Sequence, residues 1–475
     1  MRATRLPGIV SAYMIVMIAA LTTACAPHKL YRENTTLCPS PQPDIECPTH
    51  ALQEVADPDD PANRFLLGFI EFDDQGQLWN RDQMNAVVTK INEQAADSDV
   101  LMVVFVHGWK HSAGAGDSNI STFRGALQRV VRLENRISKT IDQPPRKVIG
   151  VYLGWRGGSI TMPVLKELSF WDRKNTAGIV GHGGVTEVLA RLELVKNTRD
   201  AIVAQETPIN NKEPVVGQSR SRLVVIGHSF GGAIVFSAVS QILESRFVDT
   251  QGPFGQITNP RGFGNLVVLI NPAFEAARFA TLSDMSTERG TYFADQLPVM
   301  AILTSEGDKA TRYAFPVGRW FSTLLEKDHE IKRKNGVTRK TETIDQGKAN
   351  MIAVGHFKPY MTHKLTATDT RDRNTIAPPT IEEDINMLFS TLNGWENDAP
   401  GNVIQFNGST LERNNRSAGR NPYLVIKVDK HLIRDHNDID DPRIISFIRQ
   451  LILLASQSAE IRDNNITREQ LLESK

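Results

Sequence analysis

Leu223-Val224-Val225-Ile226-Gly227-His228-Ser229-Phe230-Gly231-Gly232 joins a run of apolar, mostly β-branched residues to a Gly-x-Ser-x-Gly pentapeptide. Ala233, Ile234, Phe236, Ala238 and Val239 follow in helical rhythm. Strand, tight turn and helix in that order are the context in which a serine is lifted out of a sheet as a nucleophile. Glycines flank Ser229 because such a turn leaves no room for side chains and forces the serine into a strained backbone conformation. A Gly-rich structural turn is the bland reading of the same string, and the flanking strand and helix argue against it.

Outward from this turn the pattern repeats. Arg64–Phe72, Val100–Val106, Lys147–Leu153, Arg222–Ile226, Leu266–Ile270, Val299–Leu303 and Tyr423–Val428 are apolar runs of strand length. Between them, Asp82–Ala95, Ser121–Leu133, Val185–Ala204 and Arg443–Ala455 space their apolar residues as helical faces. Continuous apolar strands alternating with helices predict an α/β fold: a mostly parallel central sheet with helices on both faces. Two segments fall outside the rhythm, at about 157–184 and 315–422, and are expected as insertions over the carboxyl ends of the strands, where such sheets bind ligands. Both are candidates for lid and pocket walls, with surface decoration as the alternative.

Hydrophobic residues make up 40% and charged residues 23% of the 475-residue chain. Fifty-four basic side chains balance 54 acidic ones, which gives no reason to expect nucleic acid as a partner. At the N-terminus, Arg2 and Arg5 precede an apolar stretch from Ile9 to Leu21 that ends at Leu21-Thr22-Thr23-Ala24-Cys25. A basic start, an apolar run too short to span a bilayer and small residues before a cysteine describe an export signal. The arrangement resembles a bacterial lipoprotein signal, which implies cleavage over 1–25, lipidation of Cys25 and a membrane anchor in the cell envelope. Thr22 stands where a large aliphatic residue is usual, and a soluble secreted form or an uncleaved anchor are the alternatives. With Cys25 lipidated, Cys38 and Cys47 are left as a disulfide pair in a compartment that permits one. Two free thiols are the other reading. Residues 26–63, rich in Pro, Asp and Thr, read as a tether. The catalytic domain is then expected over 64–475, without internal repeat or metal-ligand spacing.

A serine hydroxyl needs a base, the base needs an orienting acid, and the oxyanion needs aimed donors. On Gly227–Gly231, on Val106-His107-Gly108-Trp109 and on an acid and histidine in the right chain order, the sequence resembles the α/β-hydrolase superfamily, in the style of bacterial lipases and esterases. The likeness covers roughly Phe65 to Ala455, interrupted by the insertions. It implies Ser229 as nucleophile, with the backbone N–H groups of Trp109 and Phe230 as the oxyanion hole, and His107 and His228 in structural roles. For the acid, Asp308 closes a strand-to-loop stretch, with Glu306 and Glu275 as competitors and a helix N-cap as its structural alternative. For the base, His436 follows the strand Tyr423–Val428 and precedes an apolar helix. His356, in Gly355-His356-Phe357 after Met351–Val354, is the competitor, with His363 and His431 further behind.

The expected activity is an exported serine hydrolase cleaving acyl esters through Ser229, His436 and Asp308, with no cofactor. The substrate is expected to be a small-molecule or lipid-like ester. Two alternatives stand beside it: a catalytically silent envelope lipoprotein that binds, and an acyltransferase that uses the same acyl-enzyme.

Overall fold

In Val100–Val106 the side chains divide by turns between two apolar layers. Val100, Met102, Val104 and Val106 enter one, and Leu101, Val103 and Phe105 enter the other. Period-two alternation with both faces buried is what a strand inside a parallel sheet requires. Leu223 and Val225 divide from Val224 and Ile226 in the same way. Each such side chain contributes about 1.5–3 kcal/mol relative to exposure, so these runs set the register of the whole sheet.

A computed structural model describes residues 29–57, 59–140, 142–157, 169–206, 219–323, 326–398, 402–463 and 465–473. Strands run in chain order as β1 (Asn34–Pro39), β2 (His50–Ala56), β3 (Arg64–Phe72), β4 (Val100–Val106), β5 (Lys147–Trp155), β6 (Arg222–His228), β7 (Leu266–Ile270) and β8 (Met300–Ser305). They continue as β9 (Glu330–Lys334), β10 (Thr341–Asp345), β11 (His363–Ala367), β12 (Val403–Phe406), β13 (Ser409–Arg413) and β14 (Tyr423–Val428). A 12-stranded sheet has the order β1-β2-β3-β5-β4-β6-β7-β8-β14-β11-β13-β12, and β9 and β10 form a separate hairpin. Every pairing from β3 across to β11 is parallel. Within that sheet antiparallel strand pairing is confined to β2–β3, β11–β13 and β13–β12.

The helices α1 (Arg81–Asp97), α2 (Ser118–Thr140), α3 (Ser169–His182), α4 (Gly184–Glu206), α5 (Phe230–Val248), α6 (Ala280–Arg289), α7 (Ile381–Glu396) and α8 (Pro442–Asp463) cover the sheet. Apolar residues of α1, α3, α4, α5 and α6 belong to one layer, and those of α2, α7 and α8 to the other. From β4 the chain crosses to β5 on one side, whereas from β6 it continues to β7 on the other. The loops leaving β4 and β6 therefore part company at their carboxyl ends, which is the switch point where open α/β sheets form their ligand crevice.

Three boundaries differ from the sequence reading. Residues 29–56 are not a tether, because β1 and β2 lengthen the sheet and Arg32 is fully buried behind them. The Arg32 guanidinium lies 4.2 Å from the Phe69 ring centroid and donates to the Ala113 carbonyl (2.7 Å) and the Pro48 carbonyl (2.8 Å). Edge strand β1 has little apolar alternation to read, since much of it is exposed. Cys38 and Cys47 are bonded to each other. Secondly, the 315–422 segment is not an insertion lying over the strand ends. Its β11, β12 and β13 extend the sheet beyond β14, and its α7 packs on a sheet face, leaving β9–β10 outside the frame. These strands are four or five residues long, too short for a period to stand out. Thirdly, the described part of 157–184 is mostly α3, which presses closely on α5. A Cβ at Gly181 would stand 2.6 Å from Ser237 Cβ and 2.7 Å from the Ile234 carbonyl. The export signal and Cys25 lie outside the described residues, and no helix among the described residues is long and apolar enough to cross a membrane.

Candidate active site

Strand β6 delivers Ser229 to the switch point, and the turn is set by contacts that forbid side chains. A Cβ on Gly231 would fall 2.1 Å from the Val106 carbonyl, and one on Gly227 would fall 2.7 Å from the Gly231 carbonyl. Ser229 takes φ 55° and ψ −120°, a left-handed conformation that few non-glycine residues adopt. Its N–H donates to the Ile270 carbonyl (2.9 Å), and its carbonyl accepts from the N–H groups of Ala233 (3.2 Å) and Ala273 (3.1 Å). The serine thus stands at the head of α5, held through both backbone polar groups.

The loop after β14 carries His436 back to this point. His436 Nε2 lies 2.6 Å from Ser229 Oγ, and His436 Nδ1 lies 2.9 Å from Asp308 Oδ2. A carboxylate accepts, so Nδ1 carries the hydrogen and the Nε2 lone pair faces the serine hydroxyl. Two side chains hold the histidine's backbone. His228 Nε2 donates to the His436 carbonyl (2.9 Å), and so does Asn271 Nδ2 (3.0 Å). Asn271, at φ 44° just past β7, also accepts from the Ser305 N–H (2.9 Å).

Asp308 follows β8 and has no exposed surface. Burial pushes its carboxyl up, but hydrogen bonds from His436 and Thr311 outweigh this and hold it below the ordinary carboxylate range. Oδ1 accepts from the Thr311 N–H (3.0 Å), within the π-helical turn Ala310–Ala314, while Oδ2 accepts from the Thr311 hydroxyl as well as from His436. The carboxylate therefore holds the turn and the histidine at once. Thr311 Oγ1 is also 3.0 Å from His356 Nε2. His356 thus reaches the same carboxylate from the far side, through a hydroxyl. It sits in the turn Val354–His356, not after a strand, and burial pushes its imidazole down to about 4.

The other competitors are engaged elsewhere. Glu306 pairs with Lys427 (2.5 Å), Glu275 with Lys174 and with Arg319 (3.0 Å), and His431 with Asp429 (2.9 Å). His363 lies within β11, its Nδ1 2.9 Å from Thr362 Oγ1. His107 is fully buried, stacked between Tyr152 and Trp155, and burial pushes it down to about 4. Its Nε2 accepts from the Trp155 N–H (3.1 Å) and its Nδ1 is 2.9 Å from the Gly108 carbonyl, so it holds the loop after β4. Burial and the nearby His436 push His228 down to about 3.

Gly108 brings that loop against Ser229. A Cβ there would stand 2.8 Å from Ser229 Cβ and 2.9 Å from the His228 carbonyl. Trp109 follows it, and Phe230 is the first residue of α5. A cavity of about 680 Å³ has Ala233 and Ala273, whose N–H groups reach the Ser229 carbonyl at the elbow, in its wall beside Lys174, Arg278 and Gln77.

No family model, curated protein or solved structure matches this chain. The arrangement is therefore read from its own geometry. Among the described residues the group of metal-type ligands close enough to share an ion is Cys38, Cys47 and His50, and its two sulfurs are bonded to each other. Sequence reasoning missed Asn271 and Thr311. Both carried a faint signal, Asn271 as an asparagine before Pro272 at a strand end and Thr311 three residues beyond Asp308.

Proposed function

We propose that this chain is a serine hydrolase of the α/β-hydrolase type, cleaving acyl esters by way of an acyl-enzyme on Ser229. The observation that carries the reading is the continuous hydrogen-bonded line from Ser229 Oγ through His436 to Asp308, on a serine held at positive φ at a sheet switch point. His436 Nε2 takes the proton as Oγ bonds to the acyl carbon, then gives it to the departing alkoxide. Water repeats the sequence in reverse and frees the acid. Asp308 holds the tautomer and stabilises the imidazolium. The oxyanion donors are assigned, as the resemblance implies, to the N–H groups of Phe230, at the start of α5, and Trp109, next to the Gly108 contact. Lipidation at Cys25 and export belong to the same reading, which the Cys38–Cys47 bond favours.

The cavity beside the elbow bears on substrate class. Lys174 and Arg319 both pair with Glu275, and Arg278 donates to Ser237 Oγ (2.8 Å). The polar side chains of Lys174, Arg278 and Gln77 in the cavity wall favour an ester that carries a polar group. Covalent labelling by a fluorophosphonate tests the chemistry. Labelling of the parent that is lost in both Ser229→Ala and His436→Ala is expected, and a folded parent that resists the probe would favour a silent binding protein.

A further inference from the structure

On the sheet face away from α5, α2 and α8 enclose a cavity of about 400 Å³, within the range of about 300–1,000 Å³ usual for small-molecule sites. Its floor is Phe105, Ile226 and Ile270, and one wall is the isoleucine row Ile445, Ile448 and Ile452 of α8. The facing wall of α2 is built from Thr122, Gly125 and Ala126, all exposed, at helical spacing. Small residues on one helix opposite a branched apolar row on the other leave a slot that the sheet alone would not explain. The slot runs along both helices, from Asn119 to Arg129 on α2 and from Asp440 to Arg449 and Ile452 at α8. Ten helical residues advance roughly 15 Å.

One end of this slot is cationic. Arg449 is bonded to Asp384 (2.5 Å). Arg129 faces the same carboxylate only at longer range, makes no hydrogen bond or ion pair among the described residues, and is partly buried. Two guanidiniums and one carboxylate leave one positive charge there. At the other end Asp440 is exposed and pairs with Arg373 (2.7 Å).

We propose that this slot binds a medium-chain fatty carboxylate, with its head at Arg129 and its chain over Phe105, Ile226 and the α8 isoleucines. A single excess positive charge at the end of an apolar slot matches a monoanion with one tail. At about 1.3 Å of advance per tetrahedral carbon, the slot suits a chain of about a dozen carbons. The proposal does not rest on the hydrolase reading, since it uses no residue of the Ser229 site.

The test is calorimetric titration of the full chain with dodecanoate, octanoate and dodecanol below their micelle concentrations. A Cβ at Gly125 meets nothing within 4 Å, so Gly125→Trp fills the slot from an exposed helix position while keeping, or gaining, helix propensity. One dodecanoate per chain is expected, bound by Ser229→Ala as by the parent and lost in Gly125→Trp. Arg129→Gln should weaken dodecanoate about fivefold and leave dodecanol unchanged. Each methylene between octanoate and dodecanoate should tighten binding, by up to about fourfold. No saturable dodecanoate binding, or equal binding in Gly125→Trp, overturns the site. Equal weakening of dodecanol in Arg129→Gln overturns the carboxylate assignment.

Discussion

Replacing Asn271 with glycine removes one of two side chains that hold the His436 backbone, without touching any group of the proposed triad. Glycine accepts the φ of 44° at this position, so the substitution introduces no left-handed strain. Two bonds disappear: Nδ2 to the His436 carbonyl (3.0 Å) and the Ser305 N–H to Oδ1 (2.9 Å). The His436 carbonyl keeps His228 Nε2 as donor, whereas the buried Ser305 N–H loses its acceptor at a cost of about 1–3 kcal/mol. The extra freedom of an unfolded glycine adds about 0.5–1 kcal/mol, for a total of about 1.5–4 kcal/mol. For activity the relevant quantity is displacement of the imidazole, and a shift of about 1 Å can cost about 100-fold in rate. With one tether left, a fall of about 10- to 100-fold in the second-order labelling rate with a fluorophosphonate is expected. Urea unfolding of the same variant, followed by circular dichroism, measures the stability loss separately. A labelling rate within twofold of the parent, alongside the expected stability loss, would show that Asn271 braces the β7–β8 edge and does not position His436.

Asp308→Asn should lower the steady-state rate on an activated ester by about 10⁴-fold, because the amide favours the wrong imidazole tautomer; a loss under tenfold would move the acid elsewhere. His356→Gln should fall less than tenfold where His436→Ala falls by three orders or more, since His356 meets Asp308 only through Thr311; the reverse order in single-turnover assays would exchange their roles. Opening the Cys38–Cys47 bond with Cys38→Ser frees a loop closed across a separation of nine residues and should lower stability by about 2.5–3 kcal/mol. Equal urea midpoints for that variant and the parent would refute it. Burial pushes His107 and His356 down to about 4, and His228 and His363 down to about 3. The unfolded chain therefore binds more protons below about 6.5, so stability should fall as pH drops from there toward 4; a urea midpoint flat over that window would contradict four buried neutral imidazoles.

Much of the fold could be read because its central strands are buried on both faces. Val100–Val106, Leu266–Ile270 and Tyr423–Val428 begin and end where their apolar runs do. What escaped reading lies at the edges of the sheet. β1 is half-exposed with no apolar face to read, and β11 to β13 are shorter than a recognisable period. The polar burial of Arg32 and Glu71 is likewise a tertiary fact. Glu71 accepts the Arg32 N–H (2.8 Å) across a sequence separation of 39, and nothing local to either residue announces the other.

The site divides along the same line. Ser229 was legible because local sterics fix it: the glycines at 227 and 231 are required by contacts within the elbow and with the end of β4. Asp308 and His436 were legible only through chain order, since 128 residues separate them and each lies in an irregular loop. His356 competed because Met351–Val354 looks like a strand before a histidine, yet Gln346–Met351 folds as a short helix and Val354–His356 as a tight turn. What brings His436 to Ser229 is a set of side-chain-to-backbone bonds from His228 and Asn271, at the ends of β6 and β7. Two neighbouring parallel strands thus present donors to one carbonyl of the histidine loop. His436 is positioned by the same carboxyl edge that positions Ser229, which is why the constellation depends on the order of the strands more than on any motif.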